Sequence, residues 1–154
     1  MENIESAPIE SSYEANQDIQ IVAFKLGKEE YAVDILHVQE INRLLNITRV
    51  PRTERYIEGV VNLRGNIVPI INLHTKYSIQ SAGDEEDKRI IVFQIDDLKV
   101  GIIVDEVSEV INIKAKDIEE TGRVYESASS EHIKGVVKVD DRLMILLDLN
   151  KIFD

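Results

Sequence analysis

Residues 58–73 read Glu58-Gly59-Val60-Val61-Asn62-Leu63-Arg64-Gly65-Asn66-Ile67-Val68-Pro69-Ile70-Ile71-Asn72-Leu73. Two apolar, β-branched runs flank a short polar break, which is the pattern of a β-hairpin. Glycine at the break supplies the backbone angles that a two-residue turn needs. A degenerate copy returns as Lys134-Gly135-Val136-Val137-Lys138-Val139-Asp140-Asp141-Arg142-Leu143-Met144-Ile145-Leu146-Leu147-Asp148-Leu149, 76 positions later (135 − 59). Only the first copy keeps Asn-Leu-Arg-Gly.

Working outward, a second block repeats at an offset of 69 (93 − 24). Ile21-Val22-Ala23-Phe24 matches Ile90-Ile91-Val92-Phe93, Val33 matches Ile102, Val38 matches Val107, Glu40 matches Glu109 and Ile41 matches Val110. Two blocks in the same order, separated by one insertion, indicate an internal duplication. Ile19 to Leu26 and Tyr31 to Ile35, around Gly27-Lys28-Glu29-Glu30, predict a further hairpin. Ser78 to Lys88, with its acid run Asp84-Glu85-Glu86-Asp87, reads as a solvated linker between the halves. Helix is expected only as short turns, at Thr53–Glu58, Leu73–Tyr77, Lys116–Glu120 and Leu149–Phe153. Pro69 cannot donate to a ladder and is expected at an edge or a bulge.

Many short strands with turn signals between them predict a mainly β fold of two barrel-like subdomains, at about 19–80 and 88–154. Each half alone would bury too little surface, so the two are expected to share a core. Residues 1–18 carry five acids and no Lys or Arg, and read as a disordered acidic tail.

The charge of −11 opposes binding to nucleic acid or anionic membrane, and 5% aromatic content leaves few stacking platforms. The absence of cysteine excludes disulfides, thiolate metal sites and a thiol nucleophile. His37, His74 and His132 are scattered without ligand spacing, so neither a metal nor another cofactor is expected. Phosphate loops, dinucleotide fingerprints and nucleophile elbows are missing, which argues against an enzyme. The acid pairs Asp96-Asp97 and Asp140-Asp141 read as turn residues rather than catalytic carboxylates. With no signal peptide and no apolar run long enough to span a bilayer, a cytoplasmic location is expected.

Arg64 is the residue that turn chemistry does not explain. Its guanidinium suits a carboxylate, and Glu40 is the available partner. In the second half Glu109 persists but Asp140 stands at the arginine's position, so the sequence predicts an Arg–Glu pair in the first half alone. Val38, Gly59 and Val107 read as small core residues on strand-like segments. Leu44 and Leu45, before Arg49-Val50-Pro51-Arg52, are expected to be partly exposed.

The strings Val38-Gln39-Glu40-Ile41, Thr48-Arg49-Val50-Pro51, residues 57–73 and Val100-Gly101-Ile102-Ile103-Val104-Asp105-Glu106-Val107 resemble the CheW-like domain family of bacterial chemotaxis coupling proteins. The resemblance runs from about Ile19 to Phe153. It implies a domain at 19–154 built of two intertwined five-stranded SH3-like barrels, and leaves room for short segments to exchange between them. It also implies a non-enzymatic adaptor, recruited to receptor arrays, that joins the cytoplasmic tip of chemoreceptors to the regulatory domain of the histidine kinase CheA. A coupler of a twitching-motility or other non-flagellar pathway is the alternative. Carried over by position, Val38, Glu40, Gly59, Arg64, Gly65 and Val107 would form the receptor groove. Leu26, Tyr31 and Leu44 are the kinase-contact candidates.

Overall fold

The computed structural model describes residues 14–120 and 130–153. Eleven strands and two short helices run in the order β1 (Asp18–Leu26), β2 (Glu29–Asp34), β3 (Val38–Arg43), β4 (Ile57–Leu63), β5 (Asn66–Asn72), α1 (Leu73–Tyr77), β6 (Arg89–Ile95), β7 (Leu98–Val104), β8 (Glu106–Lys114), β9 (Ile118–Glu119), β10 (Ile133–Val139), β11 (Arg142–Leu147) and α2 (Leu149–Ile152). They form two sheets, ordered β8-β1-β2-β11-β10-β9 and β3-β6-β7-β5-β4.

The repeat in sequence is not the unit of either sheet. The first hairpin of each half, β1–β2 or β6–β7, joins the sheet made mostly by the other half. β11 runs parallel to β2, and β5 runs parallel to β7. Replacing β1 by β6, β2 by β7, β3 by β8, β4 by β10 and β5 by β11 converts one strand order into the other, with β9 as the one addition. Ser78 to Lys88 joins β5 and α1 to β6 within one sheet; the chain passes from sheet to sheet at Ile35–His37, between β2 and β3, and at Asp105, between β7 and β8. Neither sheet closes into a barrel.

Exchange explains the unbroken apolar runs. On β1, Ile19, Ile21 and Ala23 pack with Ile113, Val137, Met144 and Leu146 inside their own sheet's curl. The alternate residues Val22, Phe24 and Leu26 enter a second core with Ile91, Phe93, Ile102 and Leu147. On β6 the same alternation sends Ile90 and Val92 to a third core with Val61, Val68 and Ile70. A strand buried on both faces has no polar side to show. Each fully buried Ile, Leu or Phe contributes about 1.5–3 kcal/mol, so the middle core binds the two sheets into one unit.

Several local expectations need correction. Residues 1–13 of the expected tail lie outside the described residues, but 14–18 are held to the fold. The Gln17 carbonyl accepts from Ala115 N–H at 2.9 Å, the Ala15 carbonyl accepts from Lys116 N–H at 2.8 Å, and Asp18 begins β1. Pro69 lies in an inner strand opposite Val60, not at an edge. It is tolerated one residue before the ladder to β7 starts at Ile70. Thr53 to Tyr56 are bends and turns rather than a helix, and Ile57 and Glu58 already belong to β4; Lys116 and Asp117 close a 3-10 turn (Ala115–Asp117), after which Ile118–Glu119 is a short strand against β10.

Gly59 has a specific structural duty. Its φ is +153°, and a Cβ there would lie 2.2 Å from the Thr48 carbonyl oxygen. Thr48 crosses at this point and exchanges two backbone hydrogen bonds of 2.9 Å with Val60. Gly135 gives the same clearance to Glu119 in the other sheet. Gly59→Ala is therefore expected to cost about 2–4 kcal/mol of unfolding free energy through backbone strain and the loss of that bridge. Urea denaturation measures it, and a change below about 0.5 kcal/mol would show that the crossing segment moves freely.

Candidate functional site

The β4–β5 hairpin turns on two residues, Arg64 (φ +54°) and Gly65 (φ +87°), between the paired Leu63 and Asn66. Positive φ at both positions is the mirror-image turn that matches the twist of a hairpin. Asn62 Oδ1 accepts from Gly65 N–H at 2.9 Å and fixes it. Glycine suits the second position; arginine at the first costs about 1–2 kcal/mol of left-handed strain. Asn or Gly would fold this turn more readily, so the guanidinium is not there for the turn.

The strain places the guanidinium over β3. Arg64 Nη1 donates to Glu40 Oε2 at 3.0 Å, and Asn42 Nδ2 donates to the other oxygen at 2.8 Å. The Arg64 side chain is 81% exposed and that of Glu40 19%. An exposed pair contributes at most about 1 kcal/mol to folding. The carboxylate is thus fixed from two sides and the arginine remains open to solvent. Leu63, Val68, Val92 and Lys99 line a notch of about 40 Å³ beside them.

The expectation that the second half lacks such a pair is wrong. Arg142, the first residue of β11, donates to Glu109 through Nη1 and to both oxygens of Glu30 through Nε and Nη2. These hydrogen bonds, from Arg142 above all, hold the Glu30 carboxyl below the usual range, and they push the Arg142 guanidinium up. The two pairs differ in availability. All three donor nitrogens of Arg142 are engaged, whereas Arg64 spends one and shows the rest to solvent.

The remaining candidates separate. Val38 pairs with Phe93 and Val107 pairs with Phe24, each beside a bulge on an edge strand and each half-buried against the shared core. Gly65 lies at the turn with Arg64; Gly59 sits at the far end of β4, under Thr48. Leu44 is exposed at the end of β3. Leu26 and Tyr31 are fully buried in the shared core. Their side chains have no surface to offer a kinase, which corrects that reading.

Sequence reasoning missed Leu36. It lies in a single 3-10 turn (Ile35–His37) whose cap is Asp34; Asp34 Oδ1 accepts from Leu36 N–H at 2.9 Å. Leu36 is 79% exposed and projects beside an open groove of about 570 Å³ lined by Ile19, Gln20, Ile35 and Asn112. A large aliphatic residue this exposed, held on a capped turn, is the signal that period-two strand patterns do not carry. Among the described residues no group of His, Cys, Asp or Glu is placed to hold a metal ion, and no helix is long and apolar enough to cross a membrane.

Two interlocked β sheets of a duplicated sequence, presenting an ion pair and an apolar groove, define a β-sheet binding scaffold. The model of the CheW-like domain matches residues 20–154. The chain is 38% identical over 133 residues to Chemotaxis protein CheW of Klebsiella aerogenes, covering 86% of this chain and 80% of that protein. With Chemotaxis protein CheW of Treponema pallidum (strain Nichols) it shares 35% identity over 142 residues, 90% of this chain and 84% of the relative. The crystal structure of scaffolding protein TtCheW from Thermoanaerobacter tengcongensis superposes with a TM-score of 0.83 at 35% identity, covering 97% of this chain and 94% of that one. The chain belongs to the CheW-like domain family.

Proposed function

We propose that this chain is a non-enzymatic coupling protein of a bacterial chemotaxis system. It holds the cytoplasmic tip of a chemoreceptor and the regulatory domain of the histidine kinase CheA side by side in the cytoplasm. The single observation that supports this most directly is Arg64, kept in a strained, exposed conformation against a fixed Glu40 where it contributes little to the fold. Strain retained at a surface position points to use by a partner.

The receptor tip is helical, and a helix recognised by a groove buries one apolar stripe. The groove beside Leu36 is open and apolar enough to take such a stripe. Val38 and Glu40 follow Leu36 directly along the chain. The kinase domain, of the same fold family, would meet the exposed apolar residues around Leu44. Each contact can be weak, because simultaneous engagement raises effective concentration. The protein then acts through relative placement: one partner's conformational bias reaches the other as a coupling free energy.

The test is co-sedimentation with a receptor cytoplasmic fragment and with the CheA regulatory domain, each separately. The wild-type chain is expected to bind both. Leu36→Asp is expected to weaken receptor binding at least about tenfold, the scale of losing a buried anchor. Kinase binding and the unfolding curve should stay unchanged, since Leu36 supports no core. Equal receptor binding by Leu36→Asp would remove the groove from the interface.

A further inference from the structure

The duplicated halves place different charges at the same point of their two sheets. At the offset of 69, Lys99 of β7 stands where Glu30 of β2 stands. The ladders agree: Glu30 pairs with Lys25, and Lys99 pairs with Gln94, the residue 69 positions after Lys25. At the offset of 76, Asn66 stands where Arg142 stands, and the first half carries its arginine at the turn instead, as Arg64.

In the second half the set of charges is closed. Glu109 accepts from Arg142 Nη1, and Glu30 accepts through both oxygens from Nε and Nη2. In the first half Glu40 corresponds to Glu109 and accepts from Arg64 Nη1 at 3.0 Å. Its other oxygen accepts from Asn42 Nδ2 at 2.8 Å, so this carboxylate is engaged on both sides. No acid corresponds to Glu30. Lys99 holds that position, is half-buried, and forms no salt bridge with a described residue. One cation between two carboxylates in the second half thus becomes two cations beside one carboxylate in the first, on a chain of charge −11.

Arg64 and Lys99 both line the notch of about 40 Å³, over a floor of Leu63, Val68 and Val92. Val68 and Val92 are fully buried. Apolar walls under a charged rim concentrate the field of that charge. The notch exceeds the about 10–15 Å³ that one water needs, so it admits a head group of a few heavy atoms. A carboxylate has that size, and its two oxygens suit the planar fork of a guanidinium.

We infer that this notch receives the carboxylate of an aspartate or glutamate on the helical receptor tip, gripped by the outer donors of Arg64 and by Lys99. The partner's acid does for Arg64 what Glu30 does for Arg142. Lys99 is then a specificity residue, which admits a partner with an acid at this point and repels one with a cation. The inference rests on the coupling function proposed above and names the chemistry that the receptor must carry.

Lys99→Glu tests it, because the variant rebuilds the second-half arrangement in the first half and sets an acid of the chain itself beside Arg64. Binding to a receptor cytoplasmic fragment is expected to weaken at least about tenfold. Binding to the kinase regulatory domain and the urea unfolding curve should not change. Lys99→Gln, which removes the cation without adding an acid, should fall between wild type and Lys99→Glu. In the wild-type complex a carbodiimide, which joins amine to carboxylate with no spacer, should link Lys99 Nζ to a receptor acid identified by mass spectrometry. Changing that acid to lysine should weaken binding to wild type and improve binding to Lys99→Glu, a reversal that a merely structural role for Lys99 would not produce. Receptor binding by Lys99→Glu equal to wild type, absence of Lys99 from the receptor cross-links, or its linkage to the kinase domain alone would each overturn the inference and leave the coupling function standing. A wild-type chain that fails to bind the receptor fragment would remove the coupling function, and the inference with it.

Discussion

Arg64→Glu is expected to lower recruitment of the chain to receptor–kinase assemblies by at least about tenfold, while unfolding free energy moves by less than about 1 kcal/mol. Both halves follow from geometry. The side chain is 81% exposed and makes one contact, so little folding energy is at stake. Glutamate at this turn faces Glu40, whose carboxylate Asn42 holds in place. Two negative charges then stand where a fork of donors stood, and a docking surface made for the fork meets repulsion instead. The charge-swapped pair Arg64→Glu with Glu40→Arg separates two accounts. If the ion pair mattered only for the shape of β3, the swap would restore recruitment. The free donors of Arg64 predict no restoration, because they point to solvent and only arginine at the turn can present them there. Recruitment equal to wild type by Arg64→Glu would end the case for this hairpin tip as a docking element.

That hairpin was legible because turn chemistry is local. Glycine at the second turn position, alternating β-branched residues on either side and a carboxylate on the preceding strand suffice to read it. The duplication was legible for the same reason, since offsets of 69 and 76 need only residue identities. The exchange of hairpins between sheets was not. A repeat predicts which strands pair with their sequence neighbours, whereas β2 with β11 and β7 with β5 are parallel contacts between strands distant in sequence. Leu26 and Tyr31 were misread through this gap: without the second sheet's packing, a β1–β2 end looks like a barrel rim. Arg142 was missed because alignment compares positions, not reach. It lies two residues beyond the counterpart of Arg64, past the Asp140-Asp141 turn at the start of β11, and from there its side chain reaches Glu109 and Glu30. Leu36 gave no signal because a single exposed leucine in a three-residue turn has no periodicity.

A substantial stability effect is also expected at Asp105, which the sequence offered only as one position in the string from Val100 to Val107. Asp105 is 3% exposed, and its carboxylate gathers the chain at the crossover between sheets. Oδ2 accepts from Gly27 N–H at 2.7 Å and from Ala82 N–H at 3.1 Å, and Oδ1 accepts from the Ser81 hydroxyl at 2.6 Å. His74 Nε2 lies 3.0 Å from Oδ1, off the line of a hydrogen bond. Asp105 thus pins the segment between the halves to the β1–β2 turn. Gly27 has no room for a Cβ there, with Ile79 and Gln80 within 3 Å of its place. Asp105→Ala removes the acceptor that Gly27, Ser81 and Ala82 share; these donors are part-buried or exposed, so the loss should be about 1.5–3 kcal/mol, the worth of hydrogen bonds to a charged group. Asp105→Asn keeps the volume, but its amide places donors against donors, so it should recover less than half of the loss. Burial by itself would raise this carboxyl; the Ser81 hydroxyl, the Gly27 amide, His74 and the Ala82 amide outweigh it and hold the group below the usual range. A carboxyl lowered by folding stabilises fully above its unfolded value of about 3.9 and loses that contribution as pH falls through the lower folded value. The gap between wild type and Asp105→Asn should therefore be constant from pH 7 to 5 and narrow below about pH 4. His132, held below its usual range by burial, lowers stability as pH drops below about 6.5, but equally in both proteins. Urea unfolding of the pair at pH 7, 5 and 3 decides the matter. A gap that stays the same at pH 3 would show that Asp105 acts through its shape and not its charge.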